Sequence, residues 1–335
     1  MHLFMCTMAA GLEGIAAEEL STCFPKITMK DIKRGKVFFE SGESLEHLRR
    51  LRCVDNIYLV LGTMHIGTHK NDLVCLDQAA AQIDLRRAIT FTALQETPRI
   101  LVSASKKGKH TYSRFDLSAR FSQILVQKYH YIEGGSQNFN LAIRLDLENG
   151  ECMVSAQLTE AAFRFRGNCY TFQAGGIRPT VAAALIWISR PAPEDVFYDP
   201  FCGSGTIPRE RAFYKARRII ASDINAEIVA STRNNLPSQI KLFCCDAQKL
   251  RAADHSIDVI VSNIPWGKQI PVDNILNLYT SFLREAKRVL SEKGRMVLLT
   301  DHEEIVQAAA ENQMNIQRIT TVSLHGLLAG VYFIS

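Results

Sequence analysis

Four short segments follow one another through the second half of this 335-residue chain: Asp199-Pro-Phe-Cys-Gly-Ser-Gly-Thr206, Ser222-Asp223-Ile224-Asn225, Cys245-Asp246-Ala247 and Ser262-Asn263-Ile264-Pro265-Trp266-Gly267. Each closes a short apolar run with strand character. Turn-forming and acidic residues recurring at strand ends, with helix-length stretches between them, predict a doubly wound α/β sheet. In such a sheet a ligand lies outside the carboxyl ends of the strands. The four segments therefore point to one pocket.

The surrounding sequence fits that sheet. Pro179 opens an apolar helix to Ile188, proline being well tolerated in a first helical turn. Strands are expected at 196–198, 218–222, 240–245, 257–262 and 295–300, and helices at 206–214, 226–234, 272–290 and 303–311. Two last apolar runs, 316–324 and 330–334, have no helix between them and pair as an antiparallel hairpin. The first half reads as two α+β units. Strands 3–7, 36–40 and 57–61, with helices 12–20 (acidic on its outer face) and 44–52, form the first, residues 1–61. A helix over 73–88, a strand over 99–104, an amphipathic helix over 116–129 and strands 140–147 and 152–158 form the second, residues 62–166. Glu148-Asn149-Gly150 marks a hairpin, because Asn-Gly tolerates positive φ. Residues 167–177, with the Gly175-Gly176 pair, read as a linker, and residues 178–335 as the sheet domain.

Gly203 and Gly205 allow a tight turn and close backbone approach to a ligand. A dinucleotide turn has GxGxxG, and here the third glycine position is Pro208. No Gly-Lys-Ser/Thr follows, so this is not a phosphate-cradling loop. Asp199 suits a cationic ligand better than a pyrophosphate, and a sulfonium cofactor carrying an ammonium group meets that requirement. Asp223, ending the second strand, can take both hydroxyls of a ribose, which by itself does not separate NAD from S-adenosylmethionine. Asp246 can accept from an adenine amino group. Each aspartate alone could equally be a helix N-cap; three in register beside the glycines favour a ligand.

Asn263-Ile264-Pro265-Trp266 indicates the chemistry. The lone pair of an exocyclic amine on a base is delocalised into the ring. Accepting hydrogen bonds from both amino protons moves that nitrogen toward tetrahedral geometry. The Asn263 side-chain oxygen and a main-chain carbonyl, that of Ile264, can do so, with Pro265 shaping the turn and Trp266 offering a face on which an unstacked base can lie. No metal and no strong general base is needed. A C5 pyrimidine methylase would place Pro-Cys here, and none is present. Cys202 reads as a packing residue.

On Asp199–Thr206, Asn263–Gly267 and Arg178-Pro179-Thr180-Val-Ala-Ala-Ala-Leu185, the chain resembles the THUMP-domain RNA methyltransferases, most of all the single-chain tRNA guanine-N2 methyltransferases. Ala10-Gly-Leu-Glu-Gly-Ile-Ala-Ala-Glu-Glu19 and Gly35-Lys-Val-Phe-Phe39 are similar to that family's N-terminal ferredoxin-like domain, and residues 62–166 to its THUMP domain. The resemblance implies a Rossmann-like class I methyltransferase domain, S-adenosylmethionine as cofactor, and tRNA as substrate, held by its acceptor end. The product would be N2-methylguanosine in the acceptor stem, at position 6. Pro179, Thr180, Asp199, Phe201, Gly203, Ser204, Gly205, Thr206, Asp223, Ile224, Asp246, Ala247 and Asn263 would line the cofactor; Asn263, Ile264, Pro265 and Trp266 would meet the target base. The chain departs from the family pattern at Ile264, where relatives often carry proline or leucine, and at Trp266, where tyrosine or phenylalanine is commoner. Ribosomal RNA or adenine in DNA is an alternative substrate, and a non-catalytic RNA-binding protein a second alternative.

The net charge of +5 is compatible with nucleic acid without requiring it. Lys106, Lys107, Lys109, Arg114, Arg166 and Lys268 are the candidate phosphate contacts, able to give affinity and register but not sequence choice. Nine cysteines, with no CxxC pair and no zinc spacing, predict reduced thiols and no metal. No stretch approaches the roughly 20 apolar residues of a membrane span. A cytoplasmic protein, monomeric because each domain looks self-contained, is expected.

Overall fold

The computed structural model describes residues 1–167, 175–234, 236–267, 274–324 and 326–335. The first half is built on one eight-stranded sheet. Its strands are β1 (His2–Thr7), β2 (Thr28–Lys33), β3 (Lys36–Ser41), β4 (Asn56–His65), β5 (Arg99–Lys107), β6 (Ile132–Glu133), β7 (Leu141–Glu148) and β8 (Glu151–Gln157). They lie in the order β2-β3-β1-β4-β8-β7-β5-β6. The boundary expected after residue 61 falls inside β4, which pairs with β1 on one edge and β8 on the other. The expected Asn-Gly hairpin joins β7 to β8, with Asn149 and Gly150 both at positive φ.

Helices α1 (Glu13–Cys23), α2 (Leu45–Leu48), α3 (Leu76–Ala80), α4 (Arg86–Thr92) and α5 (Arg114–Tyr129) accompany this sheet. The single helix expected over 73–88 is instead a 3-10 turn, Lys70–Cys75, followed by α3 and α4. Leu73, Leu76, Ala80, Ile83, Leu85 and Ala88 are buried at roughly helical spacing, although Val74 is exposed. The run closes at Ala80, and Asp84 accepts from the Arg86 N–H in the turn that leads into α4. Ser113 caps α5 in a reciprocal capping box with Asp116. The outer acidic face expected on α1 is also corrected: Glu19 is 2% exposed and accepts from the N–H groups of Arg52 and Cys53 at 2.8 and 2.9 Å.

The second half is a seven-stranded sheet in the order β11-β10-β9-β12-β13-β15-β14. Its strands are β9 (Val196–Asp199), β10 (Arg218–Asp223), β11 (Ile240–Cys244), β12 (Ile257–Asn263), β13 (Leu290–Thr300), β14 (Ile316–Leu324) and β15 (Leu327–Ile334). The first five are parallel; β15 runs antiparallel between β13 and β14. Helices α6 (Pro179–Ile188), α7 (Thr206–Arg211), α8 (Ala226–Arg233), α9 (Ile275–Val289) and α10 (Glu304–Glu311) cover it. The chain winds from β9 outward to β11 and then crosses to β12, so the topological switch point lies between β9 and β12.

Helix α6 joins the two halves. A helix that is apolar all round must be buried all round, and from Pro179 to Ile188 only Trp187 is not fully buried. It packs against α1 of the first half and α7 and β13 of the second. One continuous apolar cluster accordingly runs from Phe4 and Leu20 through Val181–Ile186 to Val297 and Val331.

Candidate active site

The four sequence segments meet at the carboxyl ends of β9, β10, β11 and β12. Asp199, the last residue of β9, is completely buried. Its Oδ1 accepts from the Ser262 hydroxyl at 2.6 Å and from the Phe201 N–H at 3.3 Å. Its Oδ2 has no partner among the described residues. Burial raises the carboxyl to about 7, the two hydrogen bonds oppose this, and the nearby Asp223 adds to it. A buried carboxylate with one oxygen unmatched is a site for a cation.

The glycine turn is built as the sequence suggests. Gly205 sits at φ +78° at the N-cap of α7, and a Cβ there would come within 2.6 Å of Leu236. The Gly203 N–H donates to Asp223 Oδ2 at 3.0 Å, and Gly203 O accepts from the Thr232 hydroxyl at 3.0 Å, locking the turn to β10 and α8. Ser204 and Thr206 share a hydroxyl contact of 3.3 Å. Phe201 packs edge-on against Phe282. Cys202 is buried and its thiol pKa is raised by that burial, with Asp199 and Asp223 adding to it, which keeps it protonated and unreactive.

Asp223 spans the turn, its Oδ1 accepting from the Asn225 N–H at 3.0 Å. Asp246 accepts from the Gln248 N–H at 2.9 Å. These are the local bonds of turn aspartates, and each leaves acceptor capacity on the carboxylate. Ile224 is 66% exposed beside them, an unusual state for an isoleucine, while Ala247 is buried. An exposed aliphatic between two ribose- and adenine-competent carboxylates gives a planar ring a surface to cover.

At the end of β12 the Asn263 side chain donates from Nδ2 to Gly175 O at 2.9 Å. A carbonyl can only accept, so this contact fixes the amide's orientation. Asn263 Oδ1 is thereby turned away, buried, and without a partner among the described residues. The turn that follows is held from two sides. The buried Tyr279 hydroxyl, on α9, donates to Pro265 O at 2.6 Å and meets the Thr300 hydroxyl at 2.8 Å; burial raises the phenol's pKa and keeps it a donor. His302 Nε2 donates to Trp266 O at 2.7 Å, with Nδ1 3.2 Å from Glu304. The carbonyls of Pro265 and Trp266 are thus engaged. The Ile264 N–H pairs with Leu299 O at 3.2 Å, which ties the start of the turn to β13. Trp266 is half-buried against the apolar core.

Some expected residues lie elsewhere. Thr180 is buried, and its hydroxyl donates to Asp55 Oδ1 at 2.6 Å, beside the equally buried Pro179. Arg166, expected at an RNA surface, is turned inward: with Arg52 it neutralises the fully buried Glu210 of α7, at 3.4 and 2.8 Å, and it donates to Arg52 O. A carboxylate without solvent requires such partners, and that requirement outweighs any surface role. Lys106 donates to Tyr112 O, and Lys107 pairs with Glu148 across the sheet. Lys109 and Arg114 are exposed, Arg114 lying over the exposed Phe115 ring. Lys268 lies outside the described residues. Tyr279 carried no sequence signal that separated it from a core aromatic. His302 did: it lies just past the end of β13, and the strand-end rule that found Asn263 applies to it equally.

The overall architecture is similar to that of solved structures. The crystal structure of TrmN from Thermus thermophilus matches with a TM-score of 0.85 at 23% identity, covering 100% of this chain and 99% of that one. The structure of SMU.472 complexed with SAH matches with a TM-score of 0.76 at 17% identity, covering 99% and 97%. The second half has the class I methyltransferase fold. Residues 166–329 match the family model described as RMKL-like, methyltransferase domain. Curated relatives include the tRNA (guanine(6)-N2)-methyltransferase of Methanocaldococcus jannaschii, 22% identical over 99% of each chain, and that of Thermus thermophilus, 25% identical over 97% of each. The human tRNA (guanine(6)-N(2))-methyltransferase THUMP3 is 30% identical over 70% of this chain and 51% of its own length.

The protein is a methyltransferase that uses S-adenosylmethionine, and the pocket fits that cofactor. The unmatched Asp199 oxygen suits its ammonium, Asp223 its ribose, and Asp246 with Ile224 its adenine. No cluster that could hold a metal ion occurs among the described residues, and no described helix is long and apolar enough to cross a membrane.

Proposed function

We propose that the chain methylates the N2 amine of a guanine in tRNA, in the acceptor stem at position 6, forming N2-methylguanosine. The observation that carries this reading is the Asn263 amide. Its nitrogen is committed to Gly175 O, so its oxygen is the group presented at the β9/β12 switch point. Asn263 Oδ1 and Ile264 O accept the two amino protons of the target, and this pyramidalises the nitrogen so that its lone pair can attack. Bound there, the cofactor supplies a sulfonium-activated methyl group. Tyr279 and His302 keep the neighbouring carbonyls from competing for the amine and hold the turn in shape. The proton lost after transfer is acidic and passes to water.

The names of the full-length relatives support tRNA and position 6, and the first half supports an RNA-binding role. In this reading residues 1–61 form a ferredoxin-like domain and residues 62–166 a THUMP domain, with Lys106, Lys107, Lys109 and Arg114 meeting phosphates. The test is transfer from labelled S-adenosylmethionine to unmodified tRNA transcripts, with nucleoside mass spectrometry and an Asn263→Ala control. N2-methylguanosine that vanishes in the control supports the assignment. Cofactor binding without tRNA methylation, and methylation of ribosomal RNA or adenine instead, overturns the tRNA reading.

A further inference from the structure

The asparagine that meets the target amine is aimed by a segment lying outside the catalytic sheet. Gly175, whose carbonyl accepts from Asn263 Nδ2, adopts φ +78° a few residues before Arg178 and Thr180. Those two side chains converge on one carboxylate in the other half of the molecule. Arg178 Nη1 donates to Asp55 Oδ2 at 2.8 Å, and Thr180 Oγ1 to Asp55 Oδ1 at 2.6 Å. Asp55 is 6% exposed, and its own N–H donates to Thr7 O of β1 at 2.6 Å, which seats it firmly in the first sheet. The residues just before it are fixed too. The N–H groups of Arg52 and Cys53 donate to the buried Glu19, and the Arg52 guanidinium reaches Glu210 of α7. One loop, 52–55, therefore grips both the segment that aims Asn263 and the helix that follows the glycine turn.

We propose that Asp55 is a positioning residue for methyl transfer: through Arg178, Thr180 and the Gly175 carbonyl it transmits the seating of the first half to the Asn263 amide. The physical basis is the softness of the terminal torsion of asparagine, which has a broad two-fold profile. If Gly175 O moves, Nδ2 loses its acceptor and the amide can flip. A flipped amide meets the target amine with a donor instead of an acceptor. The seating of the half that holds the RNA thus decides whether the catalytic amide is correctly turned. This rests on the reading of Asn263 as the acceptor of the target amine.

The experiment is Asp55→Asn in the full-length protein with selectively ¹⁵N-asparagine-labelled side chains, the Asn263 amide pair being identified by its absence in Asn263→Ala. The expected result is a broadened or doubled Asn263 amide signal, kcat down about tenfold, and cofactor affinity within about threefold of the parent. Arg178→Gln, which removes one arm of the clamp, is expected to act in the same direction and carries the test if Asp55→Asn does not fold. An unchanged amide signal in a folded variant overturns the proposal. So does a loss of kcat matched by an equal loss of cofactor affinity. If the parent protein methylates no tRNA, the functional reading fails on its own, and the amide signal still decides whether Asp55 sets Asn263.

Discussion

Two buried oxygens without partners among the described residues, Asp199 Oδ2 and Asn263 Oδ1, mark the candidate site at the level of single residues. Leaving such groups unmatched costs about 1–3 kcal/mol each, a penalty that persists in a fold when a ligand relieves it. Asn263→Ala is expected to reduce kcat at least about a hundredfold while leaving cofactor affinity within a few-fold, read by single-turnover methyl transfer and equilibrium binding. Asp199 makes a pH prediction. Its carboxyl is raised by burial to about 7, so the folded apo protein holds a proton that the unfolded chain has lost. By linkage its contribution lowers apo stability as pH rises from about 4 toward 7. A cationic ligand requires the ionised form, so cofactor affinity is expected to weaken below about pH 7, by up to about tenfold per unit. Isothermal titration across that range checks it, and the dependence should flatten in Asp199→Asn. Both residues were legible in the sequence from type and position alone. Their orphaned oxygens were not, because satisfaction of a hydrogen bond depends on neighbours distant along the chain, Ser262 for one and Gly175 for the other.

Among the elements, the glycine turn and the helix behind the Asn263–Trp266 turn hold the candidate site in shape. Gly205 is at φ +78° with Leu236 and Thr232 within 2.6 and 3.1 Å of any added Cβ. Gly205→Ala should therefore lose about 1–2 kcal/mol from backbone conformation alone, seen as a lowered melting temperature and weaker cofactor binding. Tyr279→Phe removes the donor to Pro265 O from a fully buried position. The expected outcome is a loss of about 1–3 kcal/mol in denaturant stability and a lower kcat with cofactor affinity retained. Periodicity marked out most elements, since amphipathic and alternating patterns report burial directly. It failed over residues 73–88, where the buried positions suit a helix but the chain turns between Ala80 and Arg86. It also missed β2, an edge strand mostly exposed, in which no apolar alternation announces the pairing with β3.

For the whole molecule, the two halves share one apolar core. Helix α6 shares its apolar surface with both, and Glu210 of the second half is neutralised by Arg52 and Arg166 of the first. A single unfolding transition is expected by calorimetry. Arg52→Ala should destabilise both halves together by about 3–5 kcal/mol, since it takes one partner from a buried charge; two separated transitions would show that the halves fold independently. The amino-acid sequence by itself determined the doubly wound sheet, the glycine turn and the place of the Asn263–Gly267 turn at a strand end, because strand periodicity and strand-end chemistry are local. Only the tertiary structure decided that the first half is one continuous sheet, that Arg166 and Thr180 serve the junction between halves, and that Asn263 is oriented by Gly175. Each of these depends on which groups lose solvent together, and burial is settled when distant segments pack, not by the order of residues along the chain.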